Sequence, residues 1–140
     1  MKEFLNAVSI EKCFNTVSNI AGLIGGAFVY LFGGWDVLII ALLLLMVFDY
    51  ISGILKGLYN KEISSKIGWH GIIKKVLTLI VVCLSVVCEK IGIPAIREIT
   101  IMFFIVNEGI SILENASQTG LKIPPKIKEM LLQLREKDGE

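Results

Sequence analysis

The chain has one histidine and only three cysteines among 140 residues, and each scarcity removes a class of protein. His70 stands between Trp69 and Gly71 with no H-E-x-x-H, no paired cysteines and no nucleophile elbow near it, so no hydrolase site is legible. Cys13, Cys83 and Cys88 are odd in number and lack C-x-x-C spacing, which leaves neither a disulfide framework nor a zinc site. Cys83 and Cys88 would lie roughly 140° apart on a helix and read as small apolar residues of a buried one. Gly68 and Gly71 match neither phosphate-binding glycine motif. Ser64-Ser65 reads as a helix start rather than a nucleophile. The expectation is of no enzyme, no cofactor, no metal and no nucleic-acid partner.

Charge is scarcest where it is most informative. From Ile20 to Leu55, thirty-six residues carry only Asp36 and Asp49 as charged groups. A bilayer span needs about 20 apolar residues, so this stretch suits two helices joined by a turn. Gly33-Gly34-Trp35-Asp36 supplies the turn: glycines to break the helix, an interfacial tryptophan and a water-facing aspartate. Apolar residues make up 54% of the chain, and the mean hydropathy is +0.73. The amino end is no signal peptide, because Lys2, Glu3, Glu11 and Lys12 cancel and a second apolar segment follows the first directly.

Further along, Val76 to Cys88 is uncharged and reaches spanning length if Ile72, Ile73, the stems of Lys74 and Lys75, and Ile91 are included. Pro94 closes a turn, and a fourth segment runs from near Ile99 to Leu113. The reading is an all-α membrane protein of about four transmembrane helices, near 20–34, 37–56, 72–91 and 98–117, with three spans as the alternative if the first is re-entrant. Residues 1–19 form an amphipathic amino-terminal segment with Ile10, Phe14, Val17 and Ala21 on one face. Residues 20–118 form the membrane domain. Residues 119–140 form a tail in which Gly120 stops the fourth helix and Pro124-Pro125 break the chain. A short amphipathic helix follows, with Ile127, Met130, Leu131 and Leu134 as its apolar stripe.

Four spans put twelve of the fourteen Lys and Arg residues on one side, including Lys56, Lys61, Lys66, Lys74 and Lys75 of the central loop, and only Lys90 and Arg97 on the other. Basic residues concentrate in the cytoplasm, so both termini are expected there. With three spans only the amino end changes side.

Asp49 and Glu108 fall within the spans. A central acid costs about 2.5–3.5 kcal/mol even on insertion scales, so each should be neutral, paired, or turned toward water or another helix, with Lys74 and Lys75 as candidate partners. Asn107 and Ser111 add polar groups beside Glu108. Gly22 with Gly26, and Gly53 with Gly57, repeat at the spacing that allows close helix approach, within one subunit or between subunits.

Three segments together resemble the phage-lysis and toxin-secretion holins of Gram-positive bacteria and their phages, including the holin-like protein of clostridial toxin loci. They are Phe48-Asp49-Tyr50-Ile51-Ser52-Gly53-Ile54-Leu55-Lys56, then Ser64-Ser65-Lys66-Ile67-Gly68-Trp69-His70-Gly71-Ile72-Ile73-Lys74-Lys75, and Phe104-Ile105-Val106-Asn107-Glu108-Gly109-Ile110-Ser111-Ile112-Leu113-Glu114-Asn115 with Gly120-Leu121-Lys122-Ile123-Pro124-Pro125 after it. The resemblance covers about residues 35–135; the first nineteen residues lie outside it. It implies a small multi-pass protein of the bacterial cytoplasmic membrane that self-associates in many copies and opens timed lesions. An endolysin, or in toxin loci a large toxin, then crosses, giving host lysis or export. Two other classes remain compatible with the residues: a small ion- or proton-coupled transporter or channel, and a membrane scaffold or anchor subunit.

Overall fold

The computed structural model describes the backbone of residues 1–61 and 65–137, and side chains there except those of residues 2–10, 13, 65–67, 131–132 and 134–137. Ser64, the side chains of Ile10, Cys13 and Lys66, and Leu131 and Leu134 of the carboxyl-terminal stripe therefore fall outside the described residues. Among the described residues every regular element is helical: α1 (Lys2–Phe32), α2 (Val37–Tyr59), α3 (Ser65–Lys90), α4 (Ile96–Gln118) and α5 (Pro125–Lys137). The chain divides into two compact units, Met1–Gly34 and Trp35–Glu140.

The first unit is one long helix. It crosses the expected boundary at residue 19 without a break, and its apolar stretch, Phe14–Phe32, starts some residues earlier than the uninterrupted hydrophobic run. Asn15, Thr16, Ser18 and Asn19 are polar but uncharged, and Thr16 returns its hydroxyl to the Lys12 carbonyl at 2.8 Å, so they do not end a span. Gly33, at φ 79°, stops the helix in the left-handed region and donates its amide to the Val29 carbonyl at 2.9 Å.

In the second unit each helix end has a local cause. Asp36 caps α2, its carboxylate accepting from the Ile39 amide at 3.0 Å. After α3, the Ile93 amide reaches back to the Cys88 carbonyl at 3.1 Å, and Pro94 precedes the start of α4. Gly120, at φ 85°, ends α4 while the Leu121 amide bonds the Ala116 carbonyl at 3.3 Å. Pro125, whose missing N–H is no loss at a first helical position, opens α5.

Helix α4 is the hub, packing against α2, α3 and α5. Its contacts with α2 run in one direction: Asp36 meets Arg97, Ser52 meets Asn115, and a Cβ on Gly120 would lie 3.8 Å from the Tyr59 hydroxyl. The two helices are thus parallel and in register, with α3 antiparallel beside them. Ile39, Leu42 and Met46 of α2, Val82 and Val86 of α3, and Ile101, Val106 and Ile110 of α4 form the core. The outer faces of α2 and α3, by contrast, carry exposed Leu44, Val47, Phe48, Leu77, Ile80 and Leu84. Apolar on both sides, such helices are at home in lipid.

Among the described residues, three helices are long and apolar enough to cross a membrane: Phe14–Phe32, Val37–Tyr59 and Gly68–Lys90. Helix α4, equally long at 23 residues, is the least apolar of the first four. Its place at the hub is the reason it can be, since its polar side chains turn toward neighbouring helices and lipid meets less of it.

Candidate intramembrane polar site

Asp49 lies twelve residues past the start of α2 and Glu108 twelve past the start of α4. In parallel helices of equal length that equality places both acids at the same depth. Lys75 of α3 meets them there, its Nζ donating to Asp49 Oδ2 at 2.8 Å and to Glu108 Oε2 at 2.7 Å. All three side chains are largely buried, with 16%, 19% and 13% of their surface exposed for Lys75, Asp49 and Glu108. One ammonium therefore ties the three helices together where hydrocarbon offers no solvation. Attraction between such charges is strong in a low dielectric, and both partners must stay in place because an uncompensated ion there is costly.

Asn115 completes the arrangement. It is buried on α4 and donates to Asp49 Oδ1 at 3.3 Å and to Ser52 Oγ at 3.0 Å, while Ser52 donates to the Asp49 carbonyl at 2.9 Å. Asn115 escaped the sequence reading, although it lies seven residues past Glu108 and so on the same helix face. Gly53 lies against it, and a Cβ at that position would meet Asn115 Nδ2 at an ordinary 3.8 Å. Gly53 thus packs within the subunit, whereas around Gly22 and Gly26 of α1 nothing lies within 4 Å of an added Cβ. Gly57 is half-buried on α2.

Beside the cluster a cleft of about 450 Å³ opens between α3 and α4. Asn107 and Ser111, singled out from the sequence, line it together with Lys74, Lys75, Thr78 and Glu108. Of the two lysines proposed as partners for the acids, Lys75 faces inward and makes both ion pairs. Lys74, about 100° around the helix, is exposed and lines the cleft. Lys56 is half-buried in the last turn of α2 and Lys61 exposed beyond it, and neither bonds to the cluster.

A second polar contact also went unread. Arg97, which the sequence placed only as one of two basic residues on the far side, is 4% exposed and lies 2.7 Å from Asp36 and 3.7 Å from Glu98. The Arg97 guanidinium holds the Asp36 carboxyl below its ordinary value; partial burial opposes this and the Ile39 amide reinforces it.

The fold and the site define a multi-pass helical membrane protein whose three packed helices share a buried ion-pair cluster. Comparison with known proteins gives the family. The model of the bacteriophage holin family matches residues 26–136. A 14.9 kDa protein from the nagH 3′ region of Clostridium perfringens is 42% identical over 117 residues, covering 81% of this chain and 89% of its own. A Listeria monocytogenes protein, Lmo0128, is 42% identical over 118 residues, with 83% and 84% coverage. A probable holin of Bacillus phage phi105 is 37% identical over 106 residues, with 73% and 76% coverage. The chain belongs to the bacteriophage holin family. No solved structure matches it.

Proposed function

We propose that the protein accumulates in the bacterial cytoplasmic membrane, self-associates in many copies and at a set time opens lesions through which an endolysin, or a toxin, crosses. The carboxyl tail and the loop between α2 and α3 face the cytoplasm, and so does the amino terminus. Family membership supports the reading, and the observation that carries it is the polar cluster at mid-helix beside a cleft that opens on the flank of the bundle. Polar groups at that depth stabilise contacts between helices and, once copies assemble, offer a surface that water can wet. A single unit of this size cannot enclose a passage for a folded enzyme, so many copies are required.

Inducible expression in a bacterium, with and without a cytoplasmic endolysin, tests the proposal. Abrupt death in both cultures and lysis only with the endolysin is the expected result. Gradual ion leakage without endolysin release would instead favour a small ion- or proton-conducting protein, for which the acid-lined cleft is the supporting feature.

A further inference from the structure

Helix α5 has little room to leave the bilayer surface. Helix α4 ends at Gln118 and α5 begins at Pro125, so six residues join them. Within that connection Gly120 lies beside Tyr59, the last residue of the α2 span, which sets the connection at the level where that span leaves the hydrocarbon. Lys128 then ties α5 back to α4, its Nζ donating to Glu114 Oε1 at 3.4 Å. Glu114 is one turn before the end of α4, so α5 is held at the same level.

What the chain carries at that level is amphipathic. Although α5 packs against α4, Leu121, Ile127 and Met130 remain exposed. From Thr119 to Lys128 there are three lysines and no acid. Lys122 and Lys126 are exposed, and neither has an acidic partner within 4 Å among the described residues. At about 100° per residue, Ile127 and Met130 share one face of α5, Lys126 and Lys128 border it on either side, and Glu129 falls on the opposite face.

We propose that α5 and the connection before it bind the headgroup region of the bilayer in which the bundle sits, through anionic phospholipid. Ile127 and Met130 enter the boundary between headgroups and acyl chains, and Lys122 and Lys126 reach the lipid phosphates on their flexible stems. Charge selects this occupant over a second copy, because the same segment of another copy would set lysine against lysine. Tethering selects it too, because the short connection and the Lys128–Glu114 contact keep this face where lipid is always present. The inference rests on the cytoplasmic placement of the tail proposed above, since the cytoplasmic leaflet carries the negative surface potential, and it assigns that end a ligand.

The test uses full-length protein with Cys13, Cys83 and Cys88 replaced by alanine and one polarity-sensitive fluorophore, on Met130→Cys or, in a second preparation, on Glu129→Cys. Each is reconstituted in phosphatidylcholine vesicles with or without phosphatidylglycerol, with nitroxide-labelled lipids as quenchers. With phosphatidylglycerol, the probe at 130 should shift its emission to the blue and be quenched by a nitroxide just below the headgroups, and the probe at 129 should do neither. Lys122→Gln with Lys126→Gln should lower the ratio of bound to free α5 about twenty-five-fold, at roughly fivefold per lysine near an anionic surface. Raised salt should act in the same direction. Should Met130→Cys insert poorly, Ile127→Cys makes the same comparison.

A water-like probe at 130 in both kinds of vesicle overturns the proposal. So does lipid quenching of equal strength with and without phosphatidylglycerol, which would leave an apolar contact and no anionic ligand. A blue shift without lipid quenching, lost as the protein is diluted in lipid, also overturns it and gives the face to a second copy. The vesicles carry the same lipids in both leaflets, so their result is independent of orientation. Labelling of position 130 from outside intact cells would remove the cytoplasmic placement and leave the lipid contact standing; a water-like probe with position 130 inaccessible from outside would do the reverse.

Discussion

Asp36 serves two helices at once, its Oδ1 accepting from the Ile39 amide at 3.0 Å to cap α2 while its Oδ2 lies 2.7 Å from the Arg97 guanidinium of α4. One side chain thereby ties the amino-terminal ends of two parallel helices. The two roles separate by substitution. Asp36→Asn keeps a capping oxygen and loses the ion pair, whereas Asp36→Ala loses both and should cost about 1 kcal/mol more, the usual worth of a cap. Thermal unfolding in detergent measures the difference.

The same pair gives a pH dependence. Because the folded-state pKa of Asp36 lies below its ordinary 3.8, the contribution is fully present above that value and is lost as the pH falls through the depressed folded value. The wild-type protein should therefore lose stability below about pH 4 more steeply than Asp36→Asn, as read by melting temperature across an acid titration.

Lys75 is the cation on which three helices converge. Lys75→Gln leaves Asp49 and Glu108 facing each other without a base and should destabilise by about 3–5 kcal/mol. Adding Glu108→Gln should recover part of that loss, because the second change removes one of the stranded acids. Equal stability of the single and double variants would contradict the shared-cation geometry.

Glu108 links the bundle to the proposed lysis. Glu108→Gln keeps size and hydrogen-bonding capacity, so it should insert normally and shift the time or extent of lysis. Glu108→Leu should insert at least as well and impair lysis more, since the polar contact is gone. Wild-type schedules for both would make the residue a bystander.

Two glycines should respond oppositely to alanine. At Gly53 the new methyl meets Asn115 at an ordinary 3.8 Å, so Gly53→Ala should be neutral or gain up to about 1 kcal/mol from helix propensity. Gly120 sits at φ 85°, where a side chain is strained, and Gly120→Ala should cost about 1–2 kcal/mol.

Orientation is open to cysteine labelling on a background without native cysteines. Reagent confined to the outside of intact cells should reach position 93, between α3 and α4, and should miss positions 60 and 130.

Much of this was legible from local rules. The Gly33-Gly34-Trp35-Asp36 turn, the stop at Gly120 and the break at Pro124-Pro125 each depend on residues adjacent in the chain, and each falls where the sequence puts it. The cost of an isolated acid in lipid likewise marked Asp49 and Glu108 as needing partners. Which lysine answers them was not legible, because Lys74 and Lys75 differ only in the direction they take around α3, and that is set by packing. Asn115 and Arg97 were missed for a related reason: an amide near a helix end and an arginine near a turn look solvated until the helix that buries them is in place. The sequence made the first span the doubtful one, and the shelter of the more polar α4 among α2, α3 and α5 is a property of the assembled bundle.

That shelter bears on how the chain is made. Helices leave the ribosome in order, and the least apolar of the first four comes last, after α2 and α3, which carry Asp49 and Lys75. Entry of α4 should then be templated, with Lys75 awaiting Glu108 and with Asp49 and Ser52 awaiting Asn115, so that the energetic penalty of transfer falls on the partnership instead of on the segment. A chain with Lys75→Gln should accordingly hold a reporter fused after Lys90 in its normal place and misplace one fused after Gln118, a defect of biogenesis that would precede any defect of the finished protein.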